Sequence, residues 1–408
     1  MTRRPGRAVL IGLGLTAISF VIYWLCARDF EAGRGDFFYL AEAFLNGRTY
    51  LSFQPGPYDV IIQDGRFYVP FAPFPAIALM PVVALLGAVT ADQVESGINA
   101  ALAAAGVGMA WWLVGRMGVK RLSDRFWLTL LFGFSTQILW ITTRGGVWHT
   151  GQLIATILTF ACLLELWGGR RAWLIGLLAG AAFLTRAPLA FAIPFYALLL
   201  MPAPREIPWR RWTWLAVGVA PALVFFYAYN AVRFGSPFES GYALATLPEW
   251  LERQRALGLF SLAHLPMNLD YFLFHVPMGT GEFLYGLVSG HPAFPEFPYW
   301  TSFRPDGLGL SVLITSPGLL YAVRADWRDR RAWWLAGAAL FVLIPSLLYY
   351  GGGWLQFGYR YFLDSVPFVI ALCASAAALR GRIGWGWLVL IVFGVVVIGM
   401  GAYWAHII

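Results

Sequence analysis

The sequence predicts an all-α integral membrane protein with about eleven transmembrane helices and an outer-face loop that carries interfacial or re-entrant helices. Apolar residues make up 59% of the chain and charged residues only 12%, about half the charge of a typical soluble protein. The apolar residues also fall in long runs, close to the roughly 20 residues that a helix needs to cross the hydrocarbon core. These features exclude the disordered, collagen-like, disulfide-stapled and nucleic-acid-binding classes, and they indicate one membrane domain over 1–408.

The first predicted helix covers 8–26 and follows a short basic segment that contains Arg3, Arg4 and Arg7. A cleaved signal peptide has a shorter apolar core and small residues at its cleavage site. The run here ends at 23–26 with the sequence Tyr-Trp-Leu-Cys, which offers no such site. We therefore expect a retained first helix whose N-terminus lies in the cytoplasm.

Twelve apolar stretches follow one another along the chain, and all but one are predicted to span the membrane. They are 8–26, 72–89, 96–115, 126–142, 149–167, 172–185, 188–202, 212–232, 307–323, 332–350, 361–379 and 383–404. The exception is 72–89, because Pro70, Pro73, Pro75 and Pro81 interrupt it and proline removes donors that lipid cannot replace. We expect this stretch to lie at the interface, or to enter the membrane and return.

The distribution of basic residues predicts the orientation. With 72–89 excluded, the inner loops carry 18 of the 29 Lys and Arg residues, as the positive-inside rule requires. These loops are 1–7, 116–125, 168–171, 203–211, 324–331 and 380–382. We interpret their charge as a topology signal and assign it no binding role. Two large segments, 27–95 and 233–306, then form the first and second outer loops, and the C-terminus lies outside.

Charged groups at membrane depth are costly, so each needs a partner or a function. Asp36 follows the first helix and precedes an amphipathic stretch, with Tyr39 one turn further on. Aspartate at a helix start often accepts bonds from free backbone N–H groups, and capping is the simpler role for Asp36. The alternative is a general base, because a carboxylate in a semi-buried cleft can have its pKa tuned by its surroundings.

A second polar group surrounds Asp64 and Gly65, which predict a hairpin turn between two short strands. The strands would run through 60–62 and 67–69. A structural turn is the simpler interpretation of this segment. In a functional one, the hairpin would bring Arg66 and Tyr68 to the membrane surface just before the proline-interrupted stretch.

Three arginines stand at predicted outer helix ends: Arg144, Arg186 and Arg360. A lone interfacial arginine is usually an anchor. Three on one face, each beside Gly, Pro or Tyr, also fit a site for phosphate or pyrophosphate, and they would stabilise a leaving phosphate. An i,i+4 salt bridge to Asp364 is the alternative role for Arg360.

Two further polar residues lie where helices begin or end. Asn230 is nearly buried at the end of 212–232 and needs hydrogen-bond partners, while Arg233 nearby fits a helix C-terminal cation. His149 follows Trp148 at a helix start, where capping or packing is simpler than metal binding. The five histidines show no metal-ligand spacing, and the chain contains no Walker loop and no GxSxG serine elbow.

Taken in order, these motifs resemble the GT-C class of membrane glycosyltransferases, which includes protein O-mannosyltransferases and lipid A aminoarabinose transferases. The matching segments are 36–47, 65–81, 184–188, 229–237 and 358–364. The resemblance implies a GT-C-like fold and a polyprenyl-phosphate sugar as the donor. It further implies transfer of a hexosyl or pentosyl group to a hydroxyl of a glycan, lipid or protein acceptor, usually with inversion.

The resemblance also implies roles for individual residues. Asp36 would be the catalytic base, and Arg360 with Arg144 or Arg186 would grip the lipid phosphate. The expected substrate-binding set is Tyr39, Arg66, Tyr68, Arg144, His149, Arg186, Asn230, Tyr359 and Arg360.

This chain departs from the GT-C pattern in two places. Many members carry paired acids at the first site, whereas Asp36 stands between Gly35 and Phe37, so the pattern argues against a divalent metal and implies no other cofactor. Many also carry an arginine after the re-entrant stretch, which 91–99 lacks here. Acceptor recognition could therefore differ, or this copy could be inactive.

Two alternative functions stay open from the sequence. One is a transporter or lipid flippase, whose polar groups would line a path at mid-bilayer depth. The other is a non-catalytic membrane assembly subunit. We expect the chain to contact membrane lipids and no nucleic acid, to lie in a bacterial inner membrane and to place its site on the extracytoplasmic face.

Overall fold

The computed structural model describes residues 5–28, 34–203, 206–276, 309–353 and 356–405. Part of the predicted second outer loop, 277–306, lies outside the described residues. So do Arg3, Arg4, His291 and the C-terminal residues 406–408.

The described chain is almost entirely helical, which confirms the predicted α class. The N-terminal part contains α1 (Pro5–Ala27), α2 (Asp36–Leu45), β1 (Ile61–Gln63), β2 (Arg66–Tyr68), α3 (Phe74–Leu86), α4 (Ala88–Gln93), α5 (Glu95–Arg116), α6 (Leu122–Phe134), α7 (Ile138–Arg144), α8 (Val147–Leu166), α9 (Ala172–Phe183) and α10 (Ile193–Leu199). The C-terminal part contains α11 (Trp209–Phe234), α12 (Glu249–Arg255), α13 (Leu265–Leu269), α14 (Val312–Thr315), α15 (Arg330–Leu348), α16 (Val366–Arg380) and α17 (Trp385–Ala405). Short 3₁₀ turns cover Ala187–Ala192, Leu262–His264, Pro317–Arg324 and Arg360–Asp364, and a π-helical turn covers Asp270–Phe274.

Six helices of the described chain are long and apolar enough to cross a membrane, namely α1, α5, α8, α11, α15 and α17. The pair α6 and α7 passes the same test together, with a bend of 41° between them. Other predicted spans are shorter helices: α9 has 12 residues and reaches about 18 Å, against roughly 30 Å of hydrocarbon. The structure therefore supports a polytopic membrane protein, but it does not confirm the predicted count of eleven spans.

The proline-interrupted stretch forms α3, which begins after Pro73 and contains Pro81. Its 13 residues extend about 20 Å, too short to span alone. A separate apolar cluster packs α3 against α2, with Leu40 and Leu79 among its buried members. That α3 lies at the interface stays a prediction.

The hairpin is confirmed. Strands β1 and β2 pair antiparallel, with Gln63 opposite Arg66 and Ile61 opposite Tyr68. Asp64 and Gly65 connect them with φ of 51° and 70°, and a two-residue turn of this type requires positive φ at both positions.

Glycines bring α9 and α11 into close backbone contact. A Cβ added at Gly218 would lie 2.1 Å from the carbonyl oxygen of Trp173, and one added at Gly176 would lie 2.1 Å from that of Leu215. Small residues commonly allow such approach between helices in membranes, where dispersion contacts drive association.

Contacts between helix termini define two ends of the bundle. At one end, Glu95 at the start of α5 accepts a hydrogen bond from Thr150 in the first turn of α8. At the other end, Arg170 lies just after α8 and donates to the carbonyl of Leu199 at the end of α10. We call these the Asp36 end and the Arg170 end, and α8, with 20 residues, separates them by about 30 Å.

Candidate active site

Asp36 is the first residue of α2, and its side chain is buried with 1% of its surface exposed. The expected capping role is wrong, because Gly35 is the N-cap and no side chain caps this helix. The carboxylate instead binds Arg34, whose Nη2 lies 2.5 Å from Oδ2 and whose Nε lies 3.3 Å from Oδ1. A forked, charge-assisted pair of this kind fixes the carboxylate in one orientation.

The electrostatic environment makes Asp36 a stronger base than an ordinary aspartate. Burial raises the pKa of its carboxyl, Arg34 opposes that rise, and the nearby charges of Asp59 and Asp92 add to it. The net result is a raised pKa. A carboxylate of this kind takes up a proton more readily, which suits a general base.

Arg34 joins three parts of the site. Its guanidinium donates to the backbone carbonyls of Tyr58 and Asp59, the second at 3.1 Å. Its own carbonyl accepts a hydrogen bond of 2.8 Å from the amide of Val147 at the start of α8. The ring of Trp148 lies 6.0 Å from the guanidinium carbon. The Asp36 loop is therefore held against both the first outer loop and α8.

Tyr39 and Asp92 form the other side of the acidic group. The Tyr39 hydroxyl donates to Oδ2 of Asp92 at 3.0 Å, so this hydroxyl already has a protein partner. The Asp92 carboxylate also packs against the backbone of Gly35, where an added Cβ would lie 1.8 Å from Oδ1. Only glycine fits at position 35, because any side chain there would displace Asp92.

Arg360 opens the turn Arg360–Asp364 and is buried, with 7% of its surface exposed. The expected ion pair with Asp364 is wrong, because Asp364 accepts from Nε of Arg186 at 2.7 and 2.8 Å. Among the described residues no carboxylate pairs with Arg360, and its Nε has no hydrogen-bond partner. A buried guanidinium in this state is costly unless an anion binds it.

The three predicted anion-binding arginines differ in the partners that they already have. Arg360, Arg144 and Arg186 all lie within electrostatic reach of His149. Two of them already have protein partners: Arg186 binds Asp364, and Arg144 donates to the carbonyl of Ala405 at 3.2 Å. Arg360 is therefore the arginine best placed to bind a ligand.

Buried polar atoms without partners gather at the start of α8. His149 Nδ1 lies 2.5 Å from the Gly145 carbonyl, so Nδ1 carries the hydrogen and Nε2 can only accept. Within the described chain, Nε2 of His149, Oε1 of Gln152 and Oε2 of Glu95 have no hydrogen-bond partner. Gln152 also donates to the Arg360 carbonyl at 3.0 Å. Buried polar groups normally find partners, so this cluster fits a ligand or ordered water.

Asp59 connects the acidic group to the arginines. Burial raises the pKa of its carboxyl, and Arg34, Arg360 and a hydrogen bond from Trp148 oppose that rise. Asp59 therefore lies within electrostatic reach of both the partner of Asp36 and Arg360. Hydrogen bonds place both groups at the Asp36 end of the bundle. The Arg34 carbonyl accepts from the amide of Val147 and the Arg360 carbonyl accepts from Gln152, and both partners lie in the first two turns of α8.

Four other expected substrate-binding residues have structural partners. Arg66 is exposed on β2, with its guanidinium carbon 4.7 Å from the Tyr50 ring. Tyr68 is buried against Tyr50. Tyr359 is fully buried, and its hydroxyl donates to the Ser346 carbonyl at 2.9 Å.

Asn230 is the fourth of these residues. It accepts from Nη2 of Arg233 at 3.0 Å and donates to the Pro237 carbonyl at 3.3 Å. These bonds supply the partners that the sequence required and stabilise the end of α11. No contact of the described chain places Asn230 beside Asp36.

Several site residues had no role assigned from the sequence: Arg34, Asp59, Asp92, Glu95 and Gln152. For Arg34 alone the sequence offered a local signal of its role, because Arg34 and Asp36 flank a single glycine. The other four meet the site through contacts between distant segments, which no motif in the sequence reports.

The donor set does not fit a resident divalent metal. The described residues contain no group of three or more His, Cys, Asp or Glu that could hold one. Arg34 also covers both carboxylate oxygens of Asp36.

No family model and no curated protein matches this sequence. Two solved structures are similar to it. The apo crystal structure of the Archaeoglobus fulgidus oligosaccharyltransferase has 14% identity and a TM-score of 0.49, with 97% of this chain and 55% of that chain covered. Archaeal oligosaccharyltransferase AglB from the same organism, in complex with an inhibitory peptide and a dolichol-phosphate, has 14% identity, a TM-score of 0.47 and the same coverage. This chain spans about half the length of those proteins, and at such TM-scores the likeness identifies neither fold nor function.

Proposed function

We propose that the protein is an integral-membrane glycosyltransferase. It moves a sugar from a polyprenyl-phosphate donor to a hydroxyl of a glycan, lipid or protein acceptor. The observation that carries this proposal is that buried Asp36, held through Arg34, and buried Arg360, which has no carboxylate partner in the described chain, both attach to the start of α8. A base and an anion-binding group are the two functions that transfer from a phosphate leaving group requires.

The reaction follows from these two groups. The ionised Asp36 carboxylate takes the proton of the acceptor hydroxyl. Oδ2 keeps its short bond to Arg34, and Oδ1, whose contact with Arg34 is the longer one at 3.3 Å, receives the proton on its second lone pair. The acceptor oxygen then bonds to the anomeric carbon as the bond from that carbon to the phosphate oxygen breaks. The lipid phosphate leaves with the electron pair, the configuration inverts, and Arg360 stabilises the new charge.

The proposal includes the finer features expected from the sequence. These are a hexosyl or pentosyl donor, a GT-C-like single domain with eleven spans, a cytoplasmic N-terminus, and an extracytoplasmic site in a bacterial inner membrane. The start of α8 supports a substrate-binding role for this end of the bundle, because His149, Gln152 and Glu95 present unpartnered polar atoms there within the described chain.

The test is sugar transfer by the purified full chain in lipid nanodiscs. A panel of labelled polyprenyl-phosphate sugars is supplied as donors, and wild type is compared with Asp36→Asn. We expect transfer by wild type and a loss of about 10²- to 10⁴-fold in the variant, the usual contribution of a general base. Glu249→Gln is the matched control, since Glu249 is an exposed acid on α12.

A thermal unfolding scan shows whether Asp36→Asn remains folded. A folded Asp36→Asn protein that transfers at the wild-type rate would remove the base assignment. Movement of labelled lipid between leaflets without any transfer product would instead support the flippase alternative.

A further inference from the structure

The Arg170 end of the bundle carries a group of arginines that the proposed reaction does not use. Arg170, Arg211 and Arg330 each donate to one of the three consecutive backbone carbonyls of 199–201, at 3.0, 2.9 and 2.9 Å respectively. Three guanidinium groups therefore meet at the end of α10, one from the loop after α8 and two from the first turns of α11 and α15.

These bonds have an evident structural role, because the last carbonyls of a helix lack intrahelical partners and attract cations. Each bond uses one N–H, however, and a guanidinium has five. The carbonyls thus hold three arginines in place while most of their donors stay available. This is the arrangement of a preformed anion site.

The charge of this group is not balanced within the described chain. Arg170, Arg211, Arg330 and Arg331 form no ion pair with any described carboxylate. By contrast, the neighbouring Arg171 pairs with Glu165 at 2.8 Å.

Repulsion within the group is evident at Arg170. Burial lowers the pKa of its guanidinium, and the charges of Arg331, Arg211 and Arg330 lower it further. The backbone of Arg170 also has φ of 52°, a left-handed conformation that is unfavourable for a side chain other than glycine. Arg170 is therefore held among like charges in a strained conformation.

Two cavities adjoin these arginines. One, of about 550 Å³, is lined by Arg170, Arg210, Arg211, Trp173 and Trp214. The other, of about 200 Å³, is lined by residues that include Arg170 and Arg331. Trp173 and Trp214 are about half exposed, at 47% and 49%. Tryptophan in such positions is typical of the headgroup level of a membrane.

From this geometry we infer that the Arg170 end is a binding site for the phosphodiester headgroup of an anionic phospholipid. The guanidinium groups bind the phosphate oxygens, and the two tryptophans pack against the glycerol and the upper acyl chains. Basic pockets between membrane helices commonly bind anionic headgroups. These arginines of the basic loops, Arg170, Arg210, Arg211, Arg330 and Arg331, thus have a binding function besides their effect on topology.

The site is tested by native mass spectrometry of the full chain titrated with lipid. Phosphatidylglycerol is compared with zwitterionic phosphatidylcholine, and inorganic phosphate is titrated separately. The test variant is the double substitution Arg210→Gln and Arg331→Gln, which leaves the three carbonyl-bound arginines in place. Arg328→Gln is the matched control, because it removes an exposed cation from the same end without lining either cavity.

We expect wild type and the control to retain phosphatidylglycerol over phosphatidylcholine, and the double variant to bind it more weakly by about fivefold for each arginine removed. Equal retention by the double variant and wild type would overturn the inference, as would an equal loss in the control. Binding of inorganic phosphate without any preference for phosphatidylglycerol would overturn the lipid assignment. The outcome is independent of sugar transfer, since the two sites lie about 30 Å apart.

Discussion

At the residue scale, the base function of Asp36 depends on two opposing influences. Burial makes the ionised form costly and raises the pKa of the carboxyl, while the bound Arg34 favours that form. Asp36 acts as a base only when it is ionised. The acidic side of the pH–rate profile therefore reports the balance between burial and Arg34.

Substituting Arg34→Gln shifts this balance in a known direction. Loss of the cation raises the Asp36 pKa further, so the carboxylate stays protonated up to a higher pH. We expect the acidic side of the transfer profile to move to higher pH. The check is the transfer rate over a pH series, with Arg253→Gln, an exposed arginine on α12, as the control. A profile that stays in place, or moves to lower pH, would argue against Asp36 as the base.

Arg360, which is buried, and Arg186, which is partly buried, have opposite expected responses to substitution. Arg360→Gln removes a cation without a carboxylate partner in the described chain, so we expect transfer to fall by about 100-fold while stability is kept. Arg186→Gln leaves the buried Asp364 without its partner, so we expect a loss of stability of about 3 kcal/mol. Transfer rates and unfolding of both variants separate these outcomes. If Arg360→Gln instead unfolds and Arg186→Gln stays stable, the two roles are reversed.

Residue patterns predicted the candidate base but not its surroundings. Asp36 stood out because an acid at the outer end of a helix needs a partner or a function. Its partner Arg34 is two positions away, whereas Asp59 and Gln152 reach the site from distant segments. Contacts of the latter kind depend on how the segments pack, and single-sequence motifs carry no such information.

At the element scale, the contact between α9 and α11 depends on glycine. Gly218→Ala would place a methyl group 2.1 Å from the Trp173 carbonyl oxygen, so the backbones must separate. We expect a loss of about 1–3 kcal/mol in stability, measured by unfolding in detergent. Gly14→Ala on α1 is the control, because no heavy atom lies within 4 Å of its added Cβ. Equal stability of the two variants would contradict this packing.

Turn residues predicted the hairpin correctly, whereas apolar runs did not predict where helices begin and end. The hairpin was predictable, because Asp64 and Gly65 tolerate the positive φ that the turn requires. The stretch 126–142 instead forms two helices bent by 41°, and 188–202 forms a 3₁₀ turn followed by α10. An apolar run indicates that a segment is buried in lipid or in the protein core. It does not indicate where a helix bends or ends.

At the scale of the whole molecule, the two ends of the bundle must face opposite sides of the membrane. We predict that a cysteine at Ile62, on the exposed hairpin, reacts with an impermeant maleimide added outside intact cells. One at Arg328, near the Arg170 end, should be protected until the cells are lysed. Each test cysteine is introduced into a variant in which the native Cys26, Cys162 and Cys373 are replaced by alanine. If Arg328→Cys is labelled in intact cells and Ile62→Cys is protected, the topology is inverted and the candidate site faces the cytoplasm.

The overall class was accessible from the sequence because it depends on composition, while the orientation, which depends on the sum of charges, stays a prediction. The number of spans was not, because several apolar stretches form helices shorter than the bilayer. The meeting of Asp36 and Arg360 could be proposed only from the order of weak motifs. In the structure, the segments that carry them both contact the first two turns of α8, at Val147 and Gln152.

The central claim is that Asp36 and Arg360 serve one reaction, with Arg360 on the lipid-linked phosphate and Asp36 facing the acceptor beside it. A cryo-EM structure of the full chain with a polyprenyl phosphate tests this claim most directly. The account predicts density for the phosphate on the guanidinium of Arg360, at the start of α8, with the Asp36 carboxylate facing the same pocket. Phosphate density elsewhere in the bundle, with Arg360 and Asp36 both unoccupied, would contradict it.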